Sequence, residues 1–332
     1  MRKKVGIVLF QLGGPDSPDA VEPFLFNLFC DPDIISLGPL GGLLRKPIAR
    51  YISRKRSRVV AEHYAEIGGQ SPIRRLTERQ ARKLEATLAH SLDARAFIAM
   101  RYWHPLTQQA VDAVRDSALD SLVLLPLYPQ YSMATTVSSL KEWRRLYRPA
   151  QTAPEEHLIE HFYDHPLYIE AVVDRIELVL SHFPDPRSTH IVFSAHGLPM
   201  NLIEKGDPYQ KQIEETVKLV LEDGRWPNAY TLCYQSRVGR QRWLEPSLHS
   251  TIEKLARRGE KNLLIVPISF VTEHIETLHE INIEAREEAR KLGVEQFEMM
   301  PAVGDSPRFI GALADLVLRA VGVETPQTVR AV

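Results

Sequence analysis

The sequence predicts an α/β protein with two similar domains, each built on a parallel sheet with helices on both faces. Two observations support this fold class. Short apolar runs typical of buried strands alternate with helix-length segments along the whole chain, and this alternation favours parallel sheets. The chain of 332 residues is also longer than one ordinary domain and has the length expected for two.

Apolar runs place the predicted strands, and helical periodicity fills the gaps between them. The predicted strands are 5–10, 97–102, 122–127, 157–161, 190–194, 230–234, 263–269 and 297–301. The predicted helices include 77–89, 107–117, 167–182, 209–221 and a final helix at 308–321.

The two halves of the chain also resemble each other. VLFQLGGP at 8–15 is similar to IVFSAHGLP at 191–199, and SLVLLPLYPQYS at 121–132 is similar to NLLIVPISFVTEH at 262–274. We therefore expect two related domains that face each other across a cleft. The predicted limits are 1–150 and 151–306, with a C-terminal helix and tail at 307–332 that packs on one of the domains, the N-terminal one being the favoured choice.

Composition excludes several classes of protein. The 41 Lys and Arg residues balance 42 Asp and Glu residues, so nucleic acid is not expected as the main partner. The two cysteines lie far apart and form no CxxC motif, which argues against a cysteine-based zinc or iron–sulfur site and against a disulfide framework. Without a signal-peptide core or a membrane-length apolar stretch, we expect a cytoplasmic protein.

The segment 36–58 differs from the rest of the chain. It mixes leucines with glycines and prolines and then becomes strongly basic. Such a segment suits either a lip over an apolar anionic ligand or peripheral contact with an anionic membrane surface. A loop and helix that pack only on their own domain are the structural alternative.

The most informative stretch is FSAHGLP at 193–199. An apolar run stops abruptly at a small-residue turn, which predicts a buried strand that leaves His196 at its carboxyl end. Ligands of open α/β sheets bind outside the carboxyl ends of the strands. Histidine titrates near neutral pH, so His196 is a candidate proton acceptor or metal ligand.

A second group follows the predicted strand 263–269. Its acidic residues, spaced for one face of an α-helix, would form a stripe. The stripe consists of Glu273, Glu276, Glu280, Glu284 and Glu287. Carboxylates beside His274 suit a divalent metal such as Fe²⁺, which accepts mixed nitrogen and oxygen ligands. For Glu284 and Glu287 we favour the simpler interpretation of a solvated face paired with Arg286 and Arg290.

Aromatic and basic side chains follow other predicted strands, and they suit a large flat ligand that carries carboxylates. At this point the sequence resembles the ferrochelatases, enzymes that insert Fe²⁺ into a porphyrin. The matching segments run in family order over nearly the whole chain. They are LGGPDS at 12–17, GGQSPI at 68–73, RYWHPLT at 101–107, YPQYS at 128–132, FSAHGLPM at 193–200, GDPY at 206–209, QSRVG at 235–239 and PISFVTEHIETLHE at 267–280.

The resemblance implies two Rossmann-like domains, each with a four-stranded parallel sheet, and a porphyrin cleft between them. His196 and Glu276 would be the catalytic residues, with His196 as the acceptor of a pyrrole proton. The candidate metal ligands are His196, Glu276, His274 and Glu280. The candidate substrate-binding residues are Leu12, Arg56, Arg101, Tyr128, Tyr131, Ser132 and Trp243.

The resemblance further implies Fe²⁺ and protoporphyrin IX as substrates and protohaem as product, in the terminal step of haem biosynthesis. Leu12 favours protoporphyrin IX, because several relatives that act on coproporphyrin have a tyrosine near this position. We expect no permanently bound cofactor and no iron–sulfur cluster, because a C-terminal cysteine cluster is missing. A coproporphyrin III ferrochelatase, a cobalt chelatase of similar fold and a non-catalytic haem carrier are the alternatives. The sequence leaves the oligomeric state open between monomer and homodimer.

Overall fold

A computed structural model describes residues 2–32, 34, 41–149, 153–237 and 241–330. Contacts divide the chain into two units, and each unit has its own sheet. The first unit consists of Met1–Leu127, Met133–Glu160 and Leu316–Thr325, and the second of Tyr128–Ser132, His161–Asp315 and Pro326–Val332. The domain limits drawn from the sequence stay a prediction.

The sheet of the first unit has four parallel strands in the order β2–β1–β3–β4. They are β1 Lys4–Gln11, β2 Asp93–Met100, β3 Ser121–Pro126 and β4 Glu155–Leu158. The central strands β1 and β3 are buried almost throughout, as expected for parallel strands with helices on both faces.

Five longer helices accompany this sheet within the described part of the chain. They are α1 Val21–Phe29, α2 Gly41–Glu66, α3 Ile73–Leu88, α4 Thr107–Arg115 and α5 Ser138–Leu146. The buried Trp143 of α5 contacts Phe10 of β1 edge-on, with ring centroids 5.8 Å apart. Residues 36–40 of the predicted lip, which include Leu37 and Leu40, lie outside the described residues. Residues 41–58 of the lip belong to α2.

The sheet of the second unit has the order β6–β5–β7–β8, again with all strands parallel. Its strands are β5 His190–His196, β6 Tyr230–Gln235, β7 Asn262–Pro267 and β8 Gln296–Met299. The remaining α-helices of the described residues are α6 Pro166–Leu180, α7 Met200–Glu204, α8 Tyr209–Gly224, α9 Leu248–Arg257, α10 Arg286–Lys291, α11 Pro307–Ala320 and α12 Gln327–Arg330. A π-helix, Glu276–Ala285, leads directly into α10.

The two sheets have the same strand order, so the similarity between the halves is confirmed as a repeat of topology. β1 and β5 carry the first pair of similar segments, and β3 and β7 carry the second. Each predicted strand overlaps an observed one, and the predicted α/β fold class is confirmed. Within the second sheet the chain leaves β5 for one edge and β7 for the other, so the topological switch point lies between these two strands.

None of the described helices is both long enough and apolar enough to cross a bilayer.

Core packing of the first sheet can be tested with one pair of matched substitutions. Leu124 in β3 is completely buried, whereas Leu43 in α2 is 84% exposed. Leu124→Ala should destabilise its unit by about 2–5 kcal/mol through lost burial and a cavity, and Leu43→Ala by less than about 0.5 kcal/mol. Urea unfolding followed by circular dichroism measures both. Equal shifts in the unfolding midpoint would contradict this assignment of the core.

Candidate active site

His196 is the last residue of β5, and its backbone is fixed on both sides. Its N–H donates a hydrogen bond to Ser269 Oγ at 3.0 Å, and its carbonyl accepts one from Tyr209 OH at 3.0 Å. The rest of β5 is buried, but the His196 side chain remains 34% exposed. The strand therefore holds a solvent-accessible imidazole at the sheet's switch point.

Gly197 allows β5 and β6 to approach closely just beyond His196. Its N–H donates to the carbonyl oxygen of Gln235 at 2.8 Å. A Cβ atom at this position would lie 2.8 Å from the same oxygen and 3.4 Å from the Trp243 ring. Only glycine fits without moving the backbone, and this explains the glycine directly after the histidine.

Glu276 meets His196 from the turn that follows β7. Its Oε2 atom lies 2.9 Å from His196 Nδ1 and 3.7 Å from His274 Nε2. His274 is buried, and Phe270 contacts it with ring centroids 4.4 Å apart. The structure thus brings together the three residues that the sequence placed after two separate strands.

Charge and burial act in opposite directions on this pair. Burial alone would lower the pKa of His196, but the Glu276 carboxylate, through its charge and its hydrogen bond, raises the pKa above its ordinary value. Burial would raise the pKa of Glu276, but His196 and then His274 hold it well below its ordinary value. Burial lowers the pKa of His274. At neutral pH the arrangement favours an ionised Glu276 and an uncharged His274.

The helix after Glu276 is π-helical, so the predicted α-helical stripe is wrong. Glu276 and Glu280 still share a side, but Glu280 gives both carboxylate oxygens to Ser236: Oε1 accepts from its N–H at 2.6 Å and Oε2 from its hydroxyl at 2.5 Å. Ser236 has a left-handed backbone with φ of 62°, which is costly for a residue other than glycine. Burial raises the pKa of Glu280.

The other members of the predicted stripe point elsewhere. Glu273 accepts hydrogen bonds from the Thr277 hydroxyl at 2.5 Å and from the Ala302 N–H at 2.6 Å. Glu284 and Glu287 have exposed side chains, as expected. Their partners differ from the expected arginines, because Glu284 lies 3.6 Å from His279 and Glu287 lies 3.3 Å from Lys291.

The second unit also contains four of the candidate substrate-binding residues. Ser132 is 1% exposed, and its hydroxyl donates to Asp207 Oδ2 at 2.9 Å. The Tyr131 N–H donates to Gln212 Oε1 at 2.7 Å. These contacts explain why the segment Tyr128–Ser132 belongs to this unit, with the tyrosines only half-buried.

Trp243 is the fourth of these candidates, and it is also half-buried. It lies beside the turn after β5, where residues 199 and 243 form an isolated antiparallel bridge. Its indole Nε1 is buried and has no hydrogen-bond partner among the described residues.

The remaining candidates, Leu12, Arg56 and Arg101, belong to the first unit. Leu12 follows β1, and its carbonyl accepts from the Tyr102 N–H at 3.0 Å, so it lies at the carboxyl edge of the sheet beside Arg101. Arg56 is exposed on α2, with its guanidinium carbon 5.7 Å from the centre of the Phe29 ring. The carboxyl edge of the first sheet therefore carries an apolar residue, Leu12, beside a cationic one, Arg101.

The chain matches the sequence model of the family described as Ferrochelatase over residues 4–321. The chain belongs to the ferrochelatase family. A relative named Ferrochelatase from Citrifermentans bemidjiense is 49% identical over 320 residues, which are 96% of this chain and 99% of the relative. Another from Geotalea uraniireducens is 49% identical over 98% of this chain and 100% of its own length. A third, from Gloeothece citriformis, is 46% identical over 96% of this chain and 83% of its own length.

Solved chelatase structures share the fold of this ferrochelatase family member at low sequence identity. SirB from Bacillus subtilis with Fe³⁺ has a TM-score of 0.55 at 13% identity and covers 96% of both chains. CbiX, described as the terminal enzyme for biosynthesis of sirohaem in denitrifying bacteria, has a TM-score of 0.51 at 14% identity and covers 96% of this chain and 99% of its own. At these identities the likeness supports the architecture alone.

Sequence reasoning missed the residues that support the pair. Gln235 donates from Nε2 to the Glu276 carbonyl at 2.9 Å and accepts from the Ser194 hydroxyl at 2.8 Å. It thereby ties β5 and β6 to the first turn of the π-helix. A buried amide at the end of a strand was the available signal, because such a group needs hydrogen-bond partners.

The origin of the raised His196 pKa can be tested by replacing its partner. In Glu276→Gln the carboxylate charge is lost while burial remains, so the imidazole pKa should fall below that of the unmodified protein. NMR titration of ¹³C-labelled histidine measures this value. Glu284→Gln, at an exposed position, should leave the His196 titration unchanged; a Glu276→Gln variant that titrates like the unmodified protein would contradict the assignment.

The same pair predicts a pH window for stability. A raised folded-state pKa of His196 gives stability that is complete below the unfolded value and is lost as the pH rises through the folded value. A lowered pKa of Glu276 gives stability that is complete above the unfolded value and is lost as the pH falls. The stability difference between the unmodified protein and Glu276→Gln should therefore be largest between about pH 4.5 and 6.5.

Proposed function

We propose that this chain inserts Fe²⁺ into protoporphyrin IX, releasing two protons and forming protohaem, in the terminal step of haem biosynthesis. The observation that carries the proposal is the hydrogen-bonded pair of His196 and Glu276, which lies at the switch point of the second sheet in a chain of the ferrochelatase family. The reaction is that of a metal chelatase, a lyase. Fe²⁺ takes part as a substrate, and no resident cofactor is required.

His196 is suited to accept a pyrrole proton. The ionised Glu276 carboxylate can only accept hydrogen bonds, so Nδ1 of the neutral imidazole carries the proton in this pair. That leaves the lone pair on Nε2, which has no hydrogen-bond partner among the described residues, free to act as the base. The adjacent carboxylate stabilises the imidazolium that forms, consistent with the raised pKa of His196.

His274 and Glu276 supply nitrogen and oxygen donors to the incoming metal. The Nδ1 atom of His274 is buried without a hydrogen-bond partner among the described residues, and a neutral imidazole of this kind is a metal ligand. Glu280 is a weaker candidate in this conformation, because Ser236 occupies both of its oxygens. Ligand preferences alone favour Zn²⁺ over Fe²⁺, so we expect Zn²⁺ and Co²⁺ to be inserted in vitro as well.

The substrate-binding residues have chemistry that suits a porphyrin. Leu12, Tyr128, Tyr131 and Trp243 offer apolar surface for the macrocycle, and Arg56 and Arg101 offer cationic partners for its carboxylates. Ser132 is buried, and we propose that it contributes by holding the neighbouring tyrosines through Asp207. Bending of the ring in the bound state would expose its nitrogens to the base and the metal.

An anaerobic assay tests the proposal directly. The purified protein is mixed with Fe²⁺ and either protoporphyrin IX or coproporphyrin III, and metalloporphyrin absorbance is followed. Catalytic conversion of protoporphyrin IX in preference to coproporphyrin III is the expected result. Preference for coproporphyrin III, insertion of cobalt into a more carboxylated tetrapyrrole, or tight binding without turnover would each replace the proposal with one of the alternatives.

The role of His196 is tested by removing its imidazole. His196→Ala should lower the insertion rate by roughly 10²- to 10⁴-fold, the usual contribution of a positioned base, while porphyrin binding measured by fluorescence quenching persists. His182→Ala, an exposed histidine after α6, is the matched control and should retain full activity. Normal turnover by His196→Ala would refute the assignment of the base.

We also propose a peripheral membrane contact for this cytoplasmic enzyme through α2. Leu43 and Tyr51 are 84% and 69% exposed, and the exposed Arg54, Lys55 and Arg58 share the helix with them. Exposed apolar groups among basic ones suit an anionic lipid surface. The protein should co-sediment with vesicles that contain phosphatidylglycerol more than with phosphatidylcholine vesicles, and Leu43→Ala with Tyr51→Ala should weaken this binding. Equal binding to both vesicle types would contradict the proposal.

A further inference from the structure

Asp31, directly after α1, is a buried acid at the centre of a hydrogen-bond network in the first unit. Only 3% of the residue is exposed. Its Oδ2 atom accepts from Arg101 Nη2 at 2.6 Å, from Tyr102 OH at 2.7 Å and from Ser138 Oγ at 3.0 Å. Burying a carboxylate is unfavourable unless it is paired and hydrogen-bonded, so these donors are what keep the acid in place.

The network holds the Arg101 guanidinium by two of its nitrogen donors. Besides the bond from Nη2 to Asp31, Nε donates to Ser138 Oγ at 3.1 Å, and the guanidinium carbon lies 5.0 Å from the centre of the Tyr102 ring. Nη1 has no hydrogen-bond partner among the described residues. The side chain remains 17% exposed, so we infer that the Nη1 group of this fixed cation is available to a ligand at the carboxyl edge of the sheet.

We propose that Asp31 is a positioning residue that orients Arg101 so that Nη1 can bind a carboxylate of the porphyrin. This inference rests on the proposed function, in which Arg101 contacts the substrate. A free arginine side chain loses conformational entropy when it binds. Asp31 and Ser138 fix the side chain before the ligand binds, so that this entropy is not lost on binding. The benefit comes from the fixed orientation alone, because the negative charge of Asp31 offsets the positive charge of Arg101.

Porphyrin affinity with and without carboxylates tests this inference. Dissociation constants are measured by fluorescence quenching for protoporphyrin IX and for its dimethyl ester, which lacks the charged groups. Asp31→Ala should weaken binding of the diacid by roughly tenfold, about the contribution of one hydrogen bond between charged groups, and leave binding of the ester unchanged. In an Arg101→Ala background, Asp31→Ala should have no further effect.

Two additional variants keep the test decisive if Asp31→Ala folds poorly. Ser138→Ala leaves both charges in place but removes the second anchor of the guanidinium, so it should also lower the affinity for the diacid and spare the ester. Tyr102→Phe removes one of the three donors to Asp31 but keeps both anchors of the guanidinium and the ring beside it. It should therefore weaken binding of the diacid less than Ser138→Ala does and leave binding of the ester unchanged.

Diacid binding that is unchanged or tighter in Asp31→Ala would overturn the inference, because Asp31 would then only oppose the charge of Arg101. The inference would also be overturned if Asp31→Ala weakened binding of the diacid and the ester equally while Ser138→Ala had no effect. That result would mean that Asp31→Ala acts through a general loss of structure. Iron insertion by the unmodified protein is measured separately. Its absence would refute the proposed function, whereas the affinity pattern alone decides the role of Asp31.

Discussion

The hydrogen bond between His196 and Glu276 joins residues 80 positions apart in the chain, and the second unit is arranged so that they meet. Parallel strands place both residues at the same edge of the sheet, and the strand order makes β5 and β7 neighbours. Gly197 then lets the backbone turn against Gln235, and the Gln235 amide fixes the Glu276 carbonyl. Each element restricts the movement of one member of the pair, so the proton transfer proposed for His196 would need little reorganisation.

The two sheets have the same topology, but their carboxyl edges carry different side chains. Leu12 follows β1 and His196 ends β5, at corresponding places in the two sheets. The first edge presents an apolar residue beside a fixed arginine, which suits the recognition of a flat anionic ligand. The second presents a titratable pair, which suits proton and metal chemistry. The shared strand order is a matter of backbone hydrogen bonding, whereas the chemistry depends on single residues after the strands.

The sequence was sufficient for the sheets because apolar runs and helical periodicity are local signals. It was also sufficient to single out His196 and Glu276, since polar groups that follow buried strands lie at a common edge. The π-helix could not be predicted, because a spacing of four residues keeps Glu276 and Glu280 on one side of either helix type. The turn of Glu273 toward Ala302 and the role of Asp31 depend on partners distant in sequence, for which no local pattern exists.

In each unit a carboxylate binds a nitrogen-bearing side chain: Asp31 binds Arg101, and Glu276 binds His196. The two acids differ in how deeply they are buried, and this difference suits them to different roles. Asp31 is almost fully buried and shares one oxygen among three donors, so the network suits the orientation of a cation that never loses its proton. Glu276 keeps 24% of its side chain exposed and faces an imidazole that is itself exposed. That pair is therefore accessible to water, and its proton can be exchanged. Greater burial would strengthen the pairing of His196 with Glu276 but would close the path by which a proton leaves, so the proposed role of His196 as a base requires partial exposure.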